Sequence, residues 1–242
     1  MPKTPFAPSA IPLAAEAAPP ALPEYLRKTY AWAYVTPAAV RRFERQWLVN
    51  LILWGHFARL RDAALDSLGR PPLEGKSLQI ACVYGDLTRR LAARHRREEQ
   101  LDVIDVLPVQ IENLRRKLGP GSRAGLHLAD SAALPFATAS YERALLFFLL
   151  HEQPPQVRVQ TIREAFRVVK PGGKIVFVDY HRPHPLHPLR GLMRLVFHWL
   201  EPHALDLWRS EIEPWFPPGM PPASVRKRTC FGRLYQIVEV VR

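Results

Sequence analysis

The chain has 242 residues, enough for one sizeable core and modest additions. Hydrophobic residues make up 48% of it, which excludes a disordered polymer, and two cysteines, Cys82 and Cys230, are too few for a disulfide framework or a zinc-finger ligand set. The formal net charge of +12 points to an anionic partner, whether nucleic acid, an acidic substrate or an anionic membrane surface.

Residues 1–24 read as a disordered arm, because Ala and Pro without periodicity cannot build a core. No apolar run reaches about 18 residues, so no bilayer-spanning helix is expected, and no compact hydrophobic signal region follows Lys3. Thr36-Pro37 has the form of a helix start, and Phe43, Trp47, Leu51, Trp54 and Ala58 then trace one face of an amphipathic helix ending at Gly69 and Pro71-Pro72. Residues 25–72 are thus expected to be a helical cap on a single domain covering 25–242.

Beyond the cap, strands alternate with helices. Residues 78–83 form a short buried strand, 88–97 a helix, 101–106 a second strand and 109–118 a helix closed by Gly119-Pro120. A weaker strand at 124–129 and a strongly apolar one at 143–150 follow. A helix marked by Val157, Thr161, Ile162, Ala165, Phe166 and Val169 stops at Lys170-Pro171-Gly172-Gly173, and 174–179 is again a strand. The alternation predicts an α/β fold with a mostly parallel, doubly wound sheet. Ligands in such sheets bind outside the carboxyl ends of the strands. Chemistry is therefore sought at Tyr84-Gly85-Asp86, Asp105, Asp130, His151-Glu152 and Asp179-Tyr180-His181.

Four of these pieces, in order, resemble the Rossmann-like class I S-adenosylmethionine (SAM) methyltransferases over residues 73–182. Asp105 lies at the end of the second strand, where an acid accepts both ribose hydroxyls. Asp130-Ser-Ala-Ala-Leu-Pro-Phe136 resembles the segment whose acid contacts the adenine amino group, and Ala165 to Gly173 resembles the helix and turn before the fifth strand. The fourth piece departs from the pattern. Where the family has an acid and three alternating glycines, this chain has Gln79-Ile80-Ala81-Cys82-Val83-Tyr84-Gly85-Asp86, keeping the last glycine alone. Ala81 and Val83 put side chains where the amino-acid end of SAM would lie.

The loop Cys82-Val-Tyr-Gly-Asp-Leu-Thr88, with His151-Glu152 and Asp179 to Pro183, is similar to the RquA family of rhodoquinone biosynthesis. The resemblance implies replacement of a ubiquinone methoxy group by an amino group, with SAM as amino donor and Mn2+ required. It implies a cofactor site at Val83, Tyr84, Gly85, Asp105, Val106, Asp130 and Ser131, and reacting groups among Tyr84, Asp86, His151 and Tyr180. Oxygen and imidazole groups suited to manganese are offered by His151, Glu152, Asp179 and His181. A tract of His181, His184 and His187 among prolines reads as a solvated loop before a metal site.

Residues 183–222 are expected to be an amphipathic insertion or lid. Leu189, Leu192, Met193, Val196, Phe197, Trp199 and Leu200 are apolar, against a stripe of Arg190, Arg194 and His198. Such a helix suits a membrane interface and would give a long-tailed ubiquinone a route to the site; the expected location is the cytoplasmic side of the inner membrane. Val225-Arg-Lys-Arg228 reads as a basic turn before a last strand at 235–241. Competing readings are a conventional SAM-dependent methyltransferase of a quinone, a nucleic-acid binder driven by charge, and a partner protein without catalysis. No interleaved aromatic and basic stripe supports nucleic acid.

Overall fold

Where the apolar positions of the N-terminal half repeat at helical spacing, the chain coils, but left-handed residues divide it. The computed structural model describes residues 22–29 and 37–242, so the Ala/Pro arm before residue 22 and the cap position at Thr36 lie outside the described residues. A short helix α1 (Glu24–Thr29) is followed by three helices where one was expected: α2 (Pro37–Phe43), α3 (Gln46–Ile52) and α4 (Phe57–Leu68). Trp54 (φ 52) and Gly55 (φ 79) adopt left-handed backbone and end α3, with the Gly55 N–H donating to the Asn50 carbonyl. Each interruption resets the helical phase. The buried face consequently runs through Val40, Val49, Leu53, Phe57, Leu60, Ala64 and Leu68, while Trp47 (61% exposed) and Leu51 (60%) face outward, opposite to the expected face.

The rest alternates as expected. Strands β1 (Ser77–Ile80), β2 (Leu101–Asp105), β3 (Gly125–Leu128), β4 (Tyr141–Phe147), β5 (Val169–Tyr180), β6 (Ser224–Cys230) and β7 (Tyr235–Val241) form one sheet in the order β3-β2-β1-β4-β5-β7-β6. The first five are parallel and joined by α5 (Leu87–Ala92), α6 (Pro108–Leu118) and α7 (Pro155–Val168). β7 returns antiparallel against β5, from Lys174↔Val241 to Tyr180↔Tyr235. β1 is buried at all four residues, as a central strand covered on both faces must be.

One expectation is corrected here. Val225-Arg-Lys-Arg228 is no turn; it is part of β6, paired antiparallel with β7. Its polar sequence follows from its place at the sheet edge, where charged side chains discourage a further strand from pairing.

The order reverses between β1 and β4, which opens a crevice at their carboxyl ends. α8 (Arg190–Leu200) and α9 (Asp206–Arg209) close over that end of the sheet. Buried Phe197 of α8 packs edge-on against Tyr180 at the end of β5, with ring centres 4.7 Å apart, and against Trp208 of α9 at 5.3 Å.

Candidate active site

The crevice is a cavity of about 520 Å3. Nine of the thirteen residues expected from the sequence line it: Val83, Tyr84, Asp105, Val106, Asp130, Ser131, His151, Glu152 and Tyr180. Gly85, Asp86, Asp179 and His181 do not.

The altered loop keeps the shape that glycine would give it. Ala81, at the first fingerprint position, has φ 75, a left-handed conformation that costs a residue with a Cβ roughly 1–2 kcal/mol. Phe148, just after β4, also has positive φ (54), and both residues line the cavity, so strain is concentrated where the ligand would lie. Gly85 survives for a packing reason: a Cβ there would come within 2.9 Å of the Phe57 ring and of Gln46 Oε1. The loop is tied from outside by Glu44, which accepts the Gly85 N–H at 2.9 Å, an Asn113 amide N–H at 2.7 Å and the Lys117 ammonium at 2.7 Å. Lys117 also donates to the Val83 carbonyl at 3.0 Å. Asp86 was expected among the reacting groups, but it pairs with Arg61 and Arg90, each at 2.6 Å, away from the cavity. Against the cost of burial, hydrogen bonds from Arg90 and Arg61 hold its carboxyl below the usual range. It anchors α4 to α5. Ala81→Gly should therefore leave the fold intact, raise stability by up to about 1 kcal/mol as the left-handed strain is released, and free space beside Val83; a thermal melt that fell would contradict this.

Asp105 ends β2 with both oxygens engaged: Oδ2 accepts the Cys82 N–H and Oδ1 the Leu107 N–H, each at 2.8 Å. Burial pushes its carboxyl up to about 6, although the Leu107 and Cys82 amides oppose the shift. Burial raises the Cys82 thiol well above its ordinary range too, so it is a poor nucleophile at neutral pH. Asp130 caps its own turn through the Ala132 N–H (2.8 Å), and Ser131 is held by Gln153 and Thr161. Tyr84 stacks on Phe43 and its hydroxyl accepts from Gln110 at 2.9 Å.

At the other end stands His151, in the turn after β4. Its Nδ1 lies 2.9 Å from Asp179 Oδ1, and its Nε2 lies 3.9 Å from both Glu152 Oε1 and Glu201 Oε2. Burial disfavours the imidazolium, but Asp179, then Glu201 and Glu152, outweigh it and raise the histidine to about 9. The carboxylates thus favour the imidazolium form of His151, whose Nε2 edge faces Glu152 and Glu201, both of which line the cavity. Tyr180 forms the aromatic wall beside it, edge-on to His151 at 4.9 Å and to Phe148 at 5.2 Å. The turn that carries His151 is fixed by Arg158, 1% exposed, which donates to the carbonyls of Leu150 (2.9 Å), Gln153 (2.9 Å) and His203 (3.1 Å) and lies over Trp215. Arg158→Ala removes one charge and leaves these carbonyls without their donor. A loss of about 3–5 kcal/mol in urea unfolding is expected, with little recovery by Arg158→Lys, which has no planar fork; a loss under about 1 kcal/mol would deny it this role.

The four expected metal ligands do not converge. Asp179 spends its oxygens on the N–H groups of Leu150, His151 and Tyr180 and on the His151 ring. His181 turns away to the Arg233 carbonyl and Glu211. Among the described residues no group of three or more His, Cys, Asp or Glu is arranged to hold a metal ion, so the residues present do not fit the manganese that the resemblance implies. Glu201 and Glu44 were missed by sequence reasoning. Both act across long stretches of chain, and neither stands at a strand end or in a motif.

Comparison with known proteins agrees with this geometry. Residues 78–173 match the model of a family described as "Methyltransferase domain". The ubiquinone/menaquinone biosynthesis C-methyltransferase UbiE of Geotalea daltonii is 29% identical over 112 residues, 45% of this chain and 47% of that protein. A demethylmenaquinone methyltransferase of Beutenbergia cavernae is 31% identical over 156 residues, 63% of this chain and 58% of that one. The chain thus spans about half the length of the curated relatives it matches. The structure of an O-methyltransferase family protein from Burkholderia thailandensis superposes with a TM-score of 0.60 at 18% identity, covering 90% of this chain and 66% of that one. The chain has the class I SAM-methyltransferase fold, and the part of it that matches the methyltransferase domain model is residues 78–173.

Proposed function

We propose that the protein binds SAM through Asp105 and Asp130 and transfers a group from it to a quinone. One observation carries this reading. A single cavity joins the two carboxylates at the ends of β2 and β3 to an apolar end walled by Phe148, Tyr180 and Phe197, and His151, Glu152 and Glu201 line it as well. The relatives named for quinone methylation support a quinone as acceptor. A flat, weakly polar ring stacks on such a wall, and the imidazolium Nε2–H of His151 would hydrogen-bond a quinone oxygen.

The finer reading is that the transferred group is the α-amino group of SAM, which replaces a methoxy group of ubiquinone. Its support is the loop, where Ala81 holds strained backbone and fills the place of a glycine beside the amino-acid end of the cofactor. A methoxy-bearing quinone carbon is a vinylogous ester: a neutral amine adds, a C–N bond forms, and the methoxy group leaves as methanol with one proton. As electrons move onto the quinone oxygen, a cationic His151 would steady the developing charge. The donor's Cα–N bond then breaks by internal redox: the quinone takes up the Cα–H electron pair and two protons, from Cα and N, to become the quinol, and water hydrolyses the resulting C=N bond to the aminoquinol and the 2-oxo acid of the donor. No step is assigned to a metal. Conventional methyl transfer is the second reading, favoured by the names of the relatives. SAM labelled separately at the methyl carbon and the α-nitrogen separates the two. Labelled nitrogen in the quinone product, with methanol released, supports amino transfer. Labelled methyl carbon with S-adenosylhomocysteine supports methylation, and neither label in a quinone product rejects both.

A further inference from the structure

The exposed large hydrophobic side chains are not scattered. Among the described residues ten are exposed, and seven of these lie on two short helices: Trp47, Leu51 and Ile52 on α3, and Leu192, Leu195, Trp199 and Leu200 on α8. Scattered single residues need no explanation, but a concentration of this kind does. The two helices are far apart in sequence yet meet: the Trp54 indole N–H, just past α3, points at the Met193 sulfur of α8 at 3.3 Å. They also share an opening. Leu51, Ile52 and Leu200 are exposed and at the same time line the cavity, so its mouth lies between α3 and α8.

Charge says what covers this rim. Neither helix contains an acidic residue. Arg194 of α8 is exposed, Arg190 opens that helix, and Arg41, Arg42 and Arg45 stand exposed just before and at the start of α3. None of these five makes an ion pair with another described residue. Aromatic and aliphatic side chains flanked by unpaired arginines match the boundary of an anionic bilayer, where tryptophan and leucine enter the headgroup region and guanidinium groups meet lipid phosphates. A protein partner of ordinary surface would leave five arginines unmatched.

We propose that α3 and α8 together form a membrane-docking surface for anionic lipid, which seats the mouth of the cavity directly on the bilayer. The occupant is the lipid surface itself, and an apolar substrate would pass from the acyl region between the two helices without crossing water. The docking rests on the surface alone, but its use for substrate entry rests on the quinone reading above.

Sedimentation of the full chain with vesicles of phosphatidylcholine, with and without phosphatidylglycerol, tests it. Binding to the anionic vesicles is expected, weakened about fivefold by Arg194→Ala and about tenfold or more by Trp47→Ser with Trp199→Ser. Neither tryptophan lines the cavity, so SAM affinity and the melting temperature should hold. On a short-tailed, water-soluble quinone the double variant should turn over as the parent does, and on a long-tailed quinone in vesicles its rate should fall. Equal vesicle binding by parent and variants, or no binding by the parent, would overturn the proposal. So would a parent dimer in solution that the double variant abolishes, since a second copy would then be the occupant. Loss of quinone turnover in every form, with vesicle binding intact, would count against the quinone reading and leave the docking surface standing.

Discussion

On the quinone substrate proposed above, replacing His151 by alanine is expected to lower turnover about 10²- to 10³-fold with little change in SAM affinity, because the imidazole packs against Phe148 and Tyr180, the wall to which that proposal assigns the quinone. The pH dependence is the sharper test. The three carboxylates around His151 raise it to about 9 against its ordinary 6.5. Activity that needs the imidazolium should therefore persist through neutral pH and fall as pH rises through about 9. Asp179→Asn removes the largest opposing charge and should move that falling limb to lower pH. It should also cost stability, since an amide can accept at one atom where the carboxylate receives N–H groups from Leu150, His151 and Tyr180. Loss of stability alone would follow from any structural role; the displaced limb would not. Folding stability carries the same signature. A group whose folded value is raised binds its proton more tightly when folded, so its contribution is complete below 6.5 and is lost as pH rises through about 9. The parent should lose on the order of 3 kcal/mol over that window from this group, and His151→Ala should lack that slope. A pH–rate limb that stays in place in Asp179→Asn would remove His151 from the proton chemistry.

Local rules made the sheet legible and left the rim of the site illegible. β1, β2 and β4 are short apolar runs, β5 is legible in its apolar half 174–179 although the strand begins earlier and takes in Lys170-Pro171-Gly172-Gly173, and the carboxylates at the strand ends lie where a parallel sheet presents its ligands. His151 and Asp179 could be named because they close neighbouring strands β4 and β5, though their relation differs from a shared metal: one orients the other. What escaped depends on tertiary context. The helix before β1 reads as continuous because its apolar positions keep helical spacing up to Trp54 and on to Ala58, and Trp54 in a left-handed conformation has no sequence signal. The misread phase then hid the exposed Trp47 and Leu51. β6 looked like a turn because its charges answer to the sheet edge and not to strand alternation. Glu201 reaches His151 only because α8 folds back over β5, and Asp86, chosen for its place in the loop, is claimed by two arginines from flanking helices.

Asp105 yields the second large effect, because what the cofactor needs of it opposes what the empty fold prefers. Its carboxyl is buried and raised to about 6, and two backbone N–H groups offset only part of that cost. The sign follows from the raised value. The folded chain holds this proton more tightly than the unfolded one, so the group favours folding below its ordinary 3.8, and that contribution is lost as pH rises through about 6. At pH 7.5 the ligand-free protein therefore carries an ionised carboxylate that it would be steadier without. In the proposed complex bound SAM would reverse the balance: two ribose hydroxyls would donate to the carboxylate, and the cationic sulfonium would favour the charge. Asp105→Asn should thus weaken SAM binding about 10²-fold at pH 7.5, as bonds to a charged acceptor are exchanged for weaker ones. The same change should cost the ligand-free protein under about 1 kcal/mol, because relief of the buried charge offsets the loss of one accepted N–H. SAM affinity of the parent should fall about tenfold per pH unit below 6, and that of the variant should stay flat. Calorimetric titration at pH 5, 6 and 7.5, beside thermal melts of both proteins, measures each quantity. A variant that binds SAM like the parent would take Asp105 out of the cofactor site, and a variant that simply unfolds would make its role structural; only weak binding on an intact fold assigns the carboxylate to the ribose.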